Sequence, residues 1–320
     1  MDIDKLTGVE REDMLAEIAN QYYYLGKNQS EIAKEFGTNR FRIAKLLQDA
    51  RDEHIVEIRI RSSRATATTI EEELRERFSL QKALVVDTQY LPYIEALSQI
   101  GDVGAKYLDQ IIQDESVLGV TWGKTIYSVT SQLQPSQKRK ASVLQLAGGF
   151  RVPNPTIDSR SLVPAVASVY NGSYYYMDAP LYVKDPVLKD ALFAEPSISG
   201  LLTVAQKLDI VLTGIGGISS LPLSNPAFAP YLTPADKAAE KDCFGSLYGY
   251  VLNANGDIAD IPLNEKVVSV PVEQIRSAAH RLLVVYGRHK AQITALALKK
   301  KWINEILTDA DTARRILELV

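Results

Sequence analysis

The 320-residue chain has one cysteine, Cys243, and only three histidines, and it has no excess of positive charge: 36 Lys and Arg stand against 39 Asp and Glu. Each scarcity excludes something. A lone cysteine forms neither an internal disulfide nor a thiolate metal site, and His54, His280 and His289 are too scattered to make a ligand cluster, so no metal or other cofactor is expected. No run of about eighteen apolar residues appears, and the opening MDIDKLTG is acidic without an apolar stretch. That argues against a membrane span or a signal peptide and for a cytoplasmic protein. A net charge of -3 means that any contact with nucleic acid must rest on a local basic surface.

What is present is ordinary for a globular chain, 46% apolar and 23% charged, enough for a small domain and one large one. Residues 62–69, SSRATATT, are small and polar without apolar periodicity. They read as a linker between a domain at 1–61 and another at 70–320.

The small domain contains NQSEIAKEFGTNRFRIAKLLQ, residues 28–48. Asn28 followed by Glu31 is the spacing of a capping box, so a helix should begin there. Ile32, Ala33 and Phe36 recur at helical intervals, and Gly37 follows where a positive φ would end the helix. Asn39 can cap a second helix whose Ile43, Leu46 and Leu47 face the first. Small Ala33 suits the close crossing of two helices in a helix-turn-helix. Thr38, Asn39, Arg40, Arg42 and Lys45 then form the outer surface, with no acidic residue between 38 and 46. The preceding MLAEIANQYYYLG supplies a third helix, and the following IVEIRIR alternates as a short strand would. A plain αα-hairpin with solvated arginines is the alternative, but cap, crossing residue, turn and basic face coincide in favour of DNA. Such a unit binds well only when two copies reach major-groove sites about 34 Å apart, so the larger domain should hold the assembly.

The larger domain alternates strand and helix: KALVVD, YIEALSQIGDVGAKYLDQII, SVLGV, KTIYSVTSQL, ASVLQLAGG, then ISGLLTVAQKL, DIVLTGIGG, RLLVVYG, KAQITALALKK and NEILTDADTARRILEL. Continuous apolar strands between helices indicate an α/β fold, a doubly wound and mainly parallel sheet. Ligands of such sheets sit outside the carboxyl ends of the strands.

Three strand ends are unusual. In GVTWGKT, residues Thr121, Gly123, Lys124 and Thr125 offer amides, hydroxyls and an ammonium to an anion, without the spacing of a Walker motif. In QLAGGFR, Gly148 and Gly149 admit a ligand close to the backbone and Gln145 can hydrogen-bond hydroxyls. In VYGRHKAQI, Lys290 follows a strand-ending Gly287 and opens a helix. Two cationic helix starts on one sheet edge point to one anionic ligand. Against this, a glycine-rich strand end is often only a tight turn, and Trp122 reads as core with one edge exposed. His289 reads as a solvated neighbour of Lys290, His54 and His280 as structural, KRK at 138–140 as an exposed loop, and YYY at 174–176 as a strand or its approach.

The helix-turn-helix followed in order by GVTWGKT, LQLAGG, LDIVLTGIG, GYVLNANGD and VYGRHKAQITALAL resembles the SorC family of bacterial sugar-responsive transcription regulators over nearly the whole chain. The resemblance implies an N-terminal operator-binding domain and a C-terminal domain of phosphosugar-isomerase type that binds a phosphorylated sugar or polyol and assembles into homodimers or homotetramers. Carried onto this sequence, it places the phosphate loop on Thr121 to Thr125, a second ligand segment on Gln145 to Gly149, and a phosphate-facing lysine at Lys290. One position departs: Asn253 stands where many members have an aspartate, and it can donate a hydrogen bond that a carboxylate cannot. The rival reading is a phosphosugar isomerase or deaminase tethered to a DNA domain. That chemistry needs a placed general base, and Asp257, Asp260 and Glu195 lie near the motifs without an obvious partner.

Overall fold

The computed structural model describes residues 8–53, 55, 56, 64–137, 139–150, 152 and 154–319. The chain divides into two compact units, Met1–Ser62 and Ser63–Val320. His54, Lys138 and most of the strand expected at IVEIRIR lie outside the described residues; of that segment, Ile55 and Val56 pack against the core of the first unit.

The first unit is three helices: α1 (Val9–Tyr23), α2 (Gln29–Glu35) and α3 (Arg40–Asp52). The Asn28 side chain accepts from the amides of Ser30 and Glu31 at 3.0 Å each, while the Glu31 carboxylate accepts from the Asn28 amide at 2.8 Å. Two orphan donors of α2 and its cap are thus satisfied reciprocally. Gly37 takes a φ of +62° and the Thr38 amide donates to the Ala33 carbonyl at 2.9 Å, which ends α2. Asn39 caps α3 by accepting from the Arg42 amide at 2.9 Å. A seven-residue helix is marginal in water, so α2 depends on burial of Ile32 and Ala33 against Leu15, Ile18, Ile43 and Leu46. Each large side chain buried there is worth about 1.5–3 kcal/mol, more than any single cap. Arg11 ties α1 to α3 through Glu53 at 2.7 Å and Asp49 at 3.0 Å, and those two carboxylates raise its pKa.

The second unit runs α4 (Arg64–Phe78), β1 (Lys82–Val86), α5 (Tyr93–Ile111), β2 (Ser116–Val120), α6 (Lys124–Thr130), β3 (Ala141–Gln145), α7 (Ser159–Val169), β4 (Tyr174–Tyr175), α8 (Val187–Ala194), α9 (Pro196–Ala205), β5 (Ile210–Thr213) and β6 (Gly216–Gly217). It continues with α10 (Pro234–Ala238), β7 (Cys243–Leu247), β8 (Tyr250–Asn253), α11 (Pro262–Glu265), α12 (Val272–Ser277), β9 (His280–Val285), α13 (Ala291–Lys299), β10 (Glu305–Asp309) and α14 (Ala310–Glu318). Seven strands form one sheet in the order β1-β10-β9-β5-β2-β3-β4, every neighbouring pair parallel. Strands β6, β7 and β8 make a small antiparallel sheet beside it.

The central strands are covered on both faces, and alternate residues serve each. Leu118, Leu212, Leu282 and Leu307 join one apolar layer with Ile100 and Leu108 of α5, Ile126 of α6 and Val166 of α7. Val117, Val211, Leu283 and Ile306 join the other with Leu74 of α4, Leu201 of α9, Leu298 of α13 and Ile316 of α14. This is why the strands read as continuous apolar runs.

Two expectations need correction. Residues 64–69 are the opening turns of α4 and not linker, because Ala and Thr bring no glycine or proline break and Ile70, Leu74 and Phe78 give the helix a face to bury. Arg139 is no solvated loop residue either. Its side chain is 13% exposed, meets the Asp109 carboxylate at 3.2 Å and donates to the carbonyls of Asp109 and Ile112.

Candidate functional site

The direction of winding reverses between β2 and β5: the chain leaves β2 toward β3 and β4, but leaves β5 toward β9 and β10. Connections diverging from adjacent strands open a crevice at their carboxyl ends. A cavity of about 430 Å³ lies there, lined at the ends of β2, β5 and β9 by Thr121, Gly214 and Tyr286.

Two loops bring cations to it. After β2, Gly123 at φ +121° turns the chain into α6, its amide held by the Ile157 carbonyl at 3.0 Å, and Lys124 and Thr125 open the helix with no side-chain cap. After β9, Gly287 at φ +107° leads into the 3-10 turn Arg288–Lys290, and Lys290 stands at the start of α13. Asp309 and Thr312 clamp this second turn: the Gly287 amide donates to the Thr312 hydroxyl at 3.0 Å and to the Asp309 carboxylate at 3.3 Å. Among the described residues neither Lys124 nor Lys290 forms an ion pair. Burial first, and the Lys124 charge second, lower the Lys290 pKa from its ordinary value. A site that keeps two ammonium groups together without a carboxylate favours an anion between them.

The rest of the wall is rich in hydroxyls and aromatic rings, with Asn225 and the apolar Leu181, Ile215 and Pro222 among them. Thr121 and Thr213 touch through their hydroxyls at 3.3 Å, and Ser219, Ser220 and Ser246 add more. Tyr93 opens α5, lies 5.6 Å from Tyr286 between ring centroids, and has the Lys124 ammonium 5.5 Å over its own ring. Trp122 meets Phe150 edge to face at 5.1 Å between ring centroids and Phe150 lies tilted against Phe228 at 5.2 Å, and all three line the cavity. Trp122 is thus half core and half wall. Among the described residues the lining includes no aspartate, glutamate or histidine.

Of the residues anticipated from sequence, Thr121, Gly123, Lys124, Thr125 and Lys290 converge on this cavity. Gln145, Gly148, Gly149 and Asn253 do not line it. Gln145 is 1% exposed; its amide group donates to the Ala147 carbonyl at 2.8 Å and accepts from the Met177 amide at 3.3 Å. A Cβ on Gly148 would lie 2.3 Å from the Pro180 carbonyl oxygen, and one on Gly149 2.4 Å from the Arg160 guanidinium. Both glycines let neighbouring chain pack close against the backbone. Asn253 accepts from the amides of Asn255 and Asp257 at 2.9 and 3.1 Å and so shapes the turn after β8. The acid candidates are elsewhere too: Asp257 pairs with Lys300 at 2.7 Å, Glu195 lines a separate groove beside α8, and Asp260 is exposed.

On the first unit, Asn39, Arg40 and Lys45 are exposed, while Thr38 and Arg42 are half-buried. Between them stands a residue that pattern reading passed over. Phe41 is 72% exposed, with the Arg40 guanidinium 4.8 Å from its ring centroid. Its signal was plain but unread: a large apolar residue at a position the core periodicity leaves in water.

A capped helix-turn-helix unit joined to an α/β unit with a mainly parallel central sheet is the build of a two-part transcriptional regulator. Residues 63–318 match the model of the sugar-binding domain family. The chain is 25% identical over 310 residues to the sorbitol operon regulator of Klebsiella pneumoniae, covering 95% of this chain and 98% of that protein. It is 24% identical over 309 residues to the deoxyribonucleoside regulator of Bacillus subtilis, covering 96% and 98%, and 26% identical over 314 residues to the transcriptional regulator LsrR of Escherichia coli, covering 97% and 96%. Its fold matches the crystal structure of the full-length Klebsiella sorbitol operon regulator SorC with a TM-score of 0.73 over 98% of this chain and 100% of that one, at 24% identity. The chain therefore belongs to the sugar-binding domain family and is a SorC-family transcriptional regulator.

Proposed function

We propose that this regulator binds operator DNA of a carbohydrate-utilisation operon through α2 and α3, and that a phosphorylated sugar or polyol in the cavity between Lys124 and Lys290 governs that binding. The observation that carries the reading is the meeting of two ammonium groups, without a carboxylate among the described lining residues, at uncapped helix starts in a cavity rich in hydroxyls and aromatic rings. A phosphate dianion is strongly hydrated, and several donors must replace its water. Hydroxyls and ring faces suit the remainder of a sugar. We read the site as a sensor and not a catalyst, because its described lining brings neither carboxylate nor imidazole, the usual general bases of sugar isomerisation.

Two reading heads require assembly, which we assign to residues 63–320, as a homodimer or homotetramer working in the cytoplasm on DNA and away from membranes. Among the described residues no helix is long and apolar enough to cross a membrane. A thermal-shift screen of phosphorylated sugars and polyols, each beside its dephosphorylated parent, tests the reading. A ligand bound only by the folded chain raises the melting temperature. Stabilisation by phosphorylated members alone supports the proposal; stabilisation by the parents alone contradicts it.

A further inference from the structure

The helical period fixes what α3 presents outward. Ile43, Leu46, Leu47 and Ala50 are buried and mark its inner side. At about 100° per residue, the direction opposite that stripe runs through Phe41, Lys45 and Gln48, all exposed, while Arg40 and Arg42 fall on the two flanks. Gln48 is engaged along the helix, donating to Asp52 at 2.9 Å and accepting from Arg51 at 2.6 Å. Phe41 therefore stands at the centre of the outer face, at the N-terminal end of α3, where a recognition helix meets base edges.

Phe41 is the one large apolar side chain of α2 and α3 exposed in this way, and its flanks are cationic. A docking surface for an apolar protein would need a patch, whereas a single ring between cations fits a duplex, with phosphates on both sides and apolar groups only at isolated base edges. The apolar group of the major groove is the thymine C5-methyl. We propose that Phe41 reads the C5-methyl of one thymine in each operator half-site, and that Arg40 and Arg42 grip the phosphates beside it. The Arg40 guanidinium 4.8 Å from the ring restrains it by a cation–π contact.

This rests on α3 being the helix that enters the groove, and the experiment separates the two claims. DNA selected from a randomised pool by the full-length wild-type chain serves as probe, with each thymine replaced in turn by deoxyuridine, which pairs identically but lacks the methyl. Wild-type affinity should fall roughly fourfold at one position per half-site, the worth of one buried methyl group. Phe41→Ala, checked for an unchanged far-ultraviolet circular dichroism melt, should bind the thymine probe more weakly and lose nothing further on that replacement. Lys45→Ala should bind every probe more weakly while keeping the sensitivity to deoxyuridine. If Lys45→Ala weakens binding but no thymine matters, or if Phe41→Ala keeps the deoxyuridine effect, the role of Phe41 is refuted and the reading helix stands. If neither Lys45→Ala nor Phe41→Ala changes affinity, α3 is not the reading helix and both claims fall.

Discussion

Lys124 and Lys290 reach one cavity from separate helix starts, and the charge of the first adds to burial in lowering the pKa of the second. Lys290 is therefore a cation held at a cost until an anion arrives. Below its lowered folded-state pKa, folded and unfolded chains both carry the proton and the cost is fully present. Between that value and 10.5, the unfolded chain holds a proton that the folded chain has released, so stability rises with pH there. Lys290→Met should accordingly raise the melting temperature of the ligand-free chain at pH 7 while abolishing stabilisation by a sugar phosphate. A lower melting temperature for the variant would show that Lys290 is not held against repulsion and desolvation.

For the wild type the same linkage predicts proton uptake when a phosphorylated ligand binds at alkaline pH, since the anion restores the Lys290 pKa. Titration calorimetry in buffers of different ionisation enthalpy, repeated over the alkaline range up to pH 10.5, measures this directly. An observed enthalpy independent of buffer would contradict it.

Arg40 and Arg42 flank the outward face of α3, which suits phosphates better than base edges. Changing both to alanine should weaken all DNA sequences alike and, with two reading heads on the operator, lower the slope of log affinity against log salt by roughly four, about one for each lost phosphate contact. Loss of discrimination at one base position, with an unchanged salt slope, would instead make one of them a base reader.

Asn28→Ala removes the acceptor that satisfies the Ser30 and Glu31 amides. It should cost about 1 kcal/mol of stability in the first unit and speed hydrogen exchange at those two amides. Unaltered exchange there would mean that the capping box does not hold α2.

A chain beginning at Ser63 keeps α4, whose Ile70, Leu74 and Phe78 lie in the core and whose Arg77 donates to the Leu317 carbonyl at 2.8 Å. It should fold, bind the sugar phosphate and stay oligomeric by light scattering. A chain beginning at Gln81 loses four buried side chains, Ile70, Leu74, Phe78 and Leu80, at about 1.5–3 kcal/mol each, a large part of a usual stability of about 5–15 kcal/mol, and should melt far lower. Equal melting temperatures would make α4 dispensable.

Much of this was legible in the sequence because burial leaves period. Strands such as residues 116–120 and 282–285 are covered on both faces and read as unbroken apolar runs, and the capping box at Asn28 and the turn at Gly37 are local chemistry. The glycine turns in the sequence point to Lys124 and Lys290, which line one cavity, and to Gly148 and Gly149, which do not line it; a turn glycine beside a cavity and one packed against the Pro180 carbonyl look alike in one dimension. Ser219, Ser220 and Phe228 were missed because residues 218–231 are a chain of 3-10 turns, with no apolar period to place them. The small sheet of β6, β7 and β8 was missed as well; its strands are two to five residues long, too short to show an alternating period.

The central claim is that one cavity senses a phosphorylated effector on behalf of the DNA-binding unit, and Lys290→Ala separates the two functions. The decisive measurement is fluorescence anisotropy of labelled operator DNA with wild type and Lys290→Ala, titrated with the phosphorylated ligand from the thermal-shift screen and with its dephosphorylated parent. Both proteins should bind DNA equally without ligand. The phosphorylated ligand should shift wild-type affinity, whereas the variant should need at least tenfold more ligand for the same shift. Identical ligand responses in the two proteins, or a wild-type response to the parent sugar alone, would contradict the account.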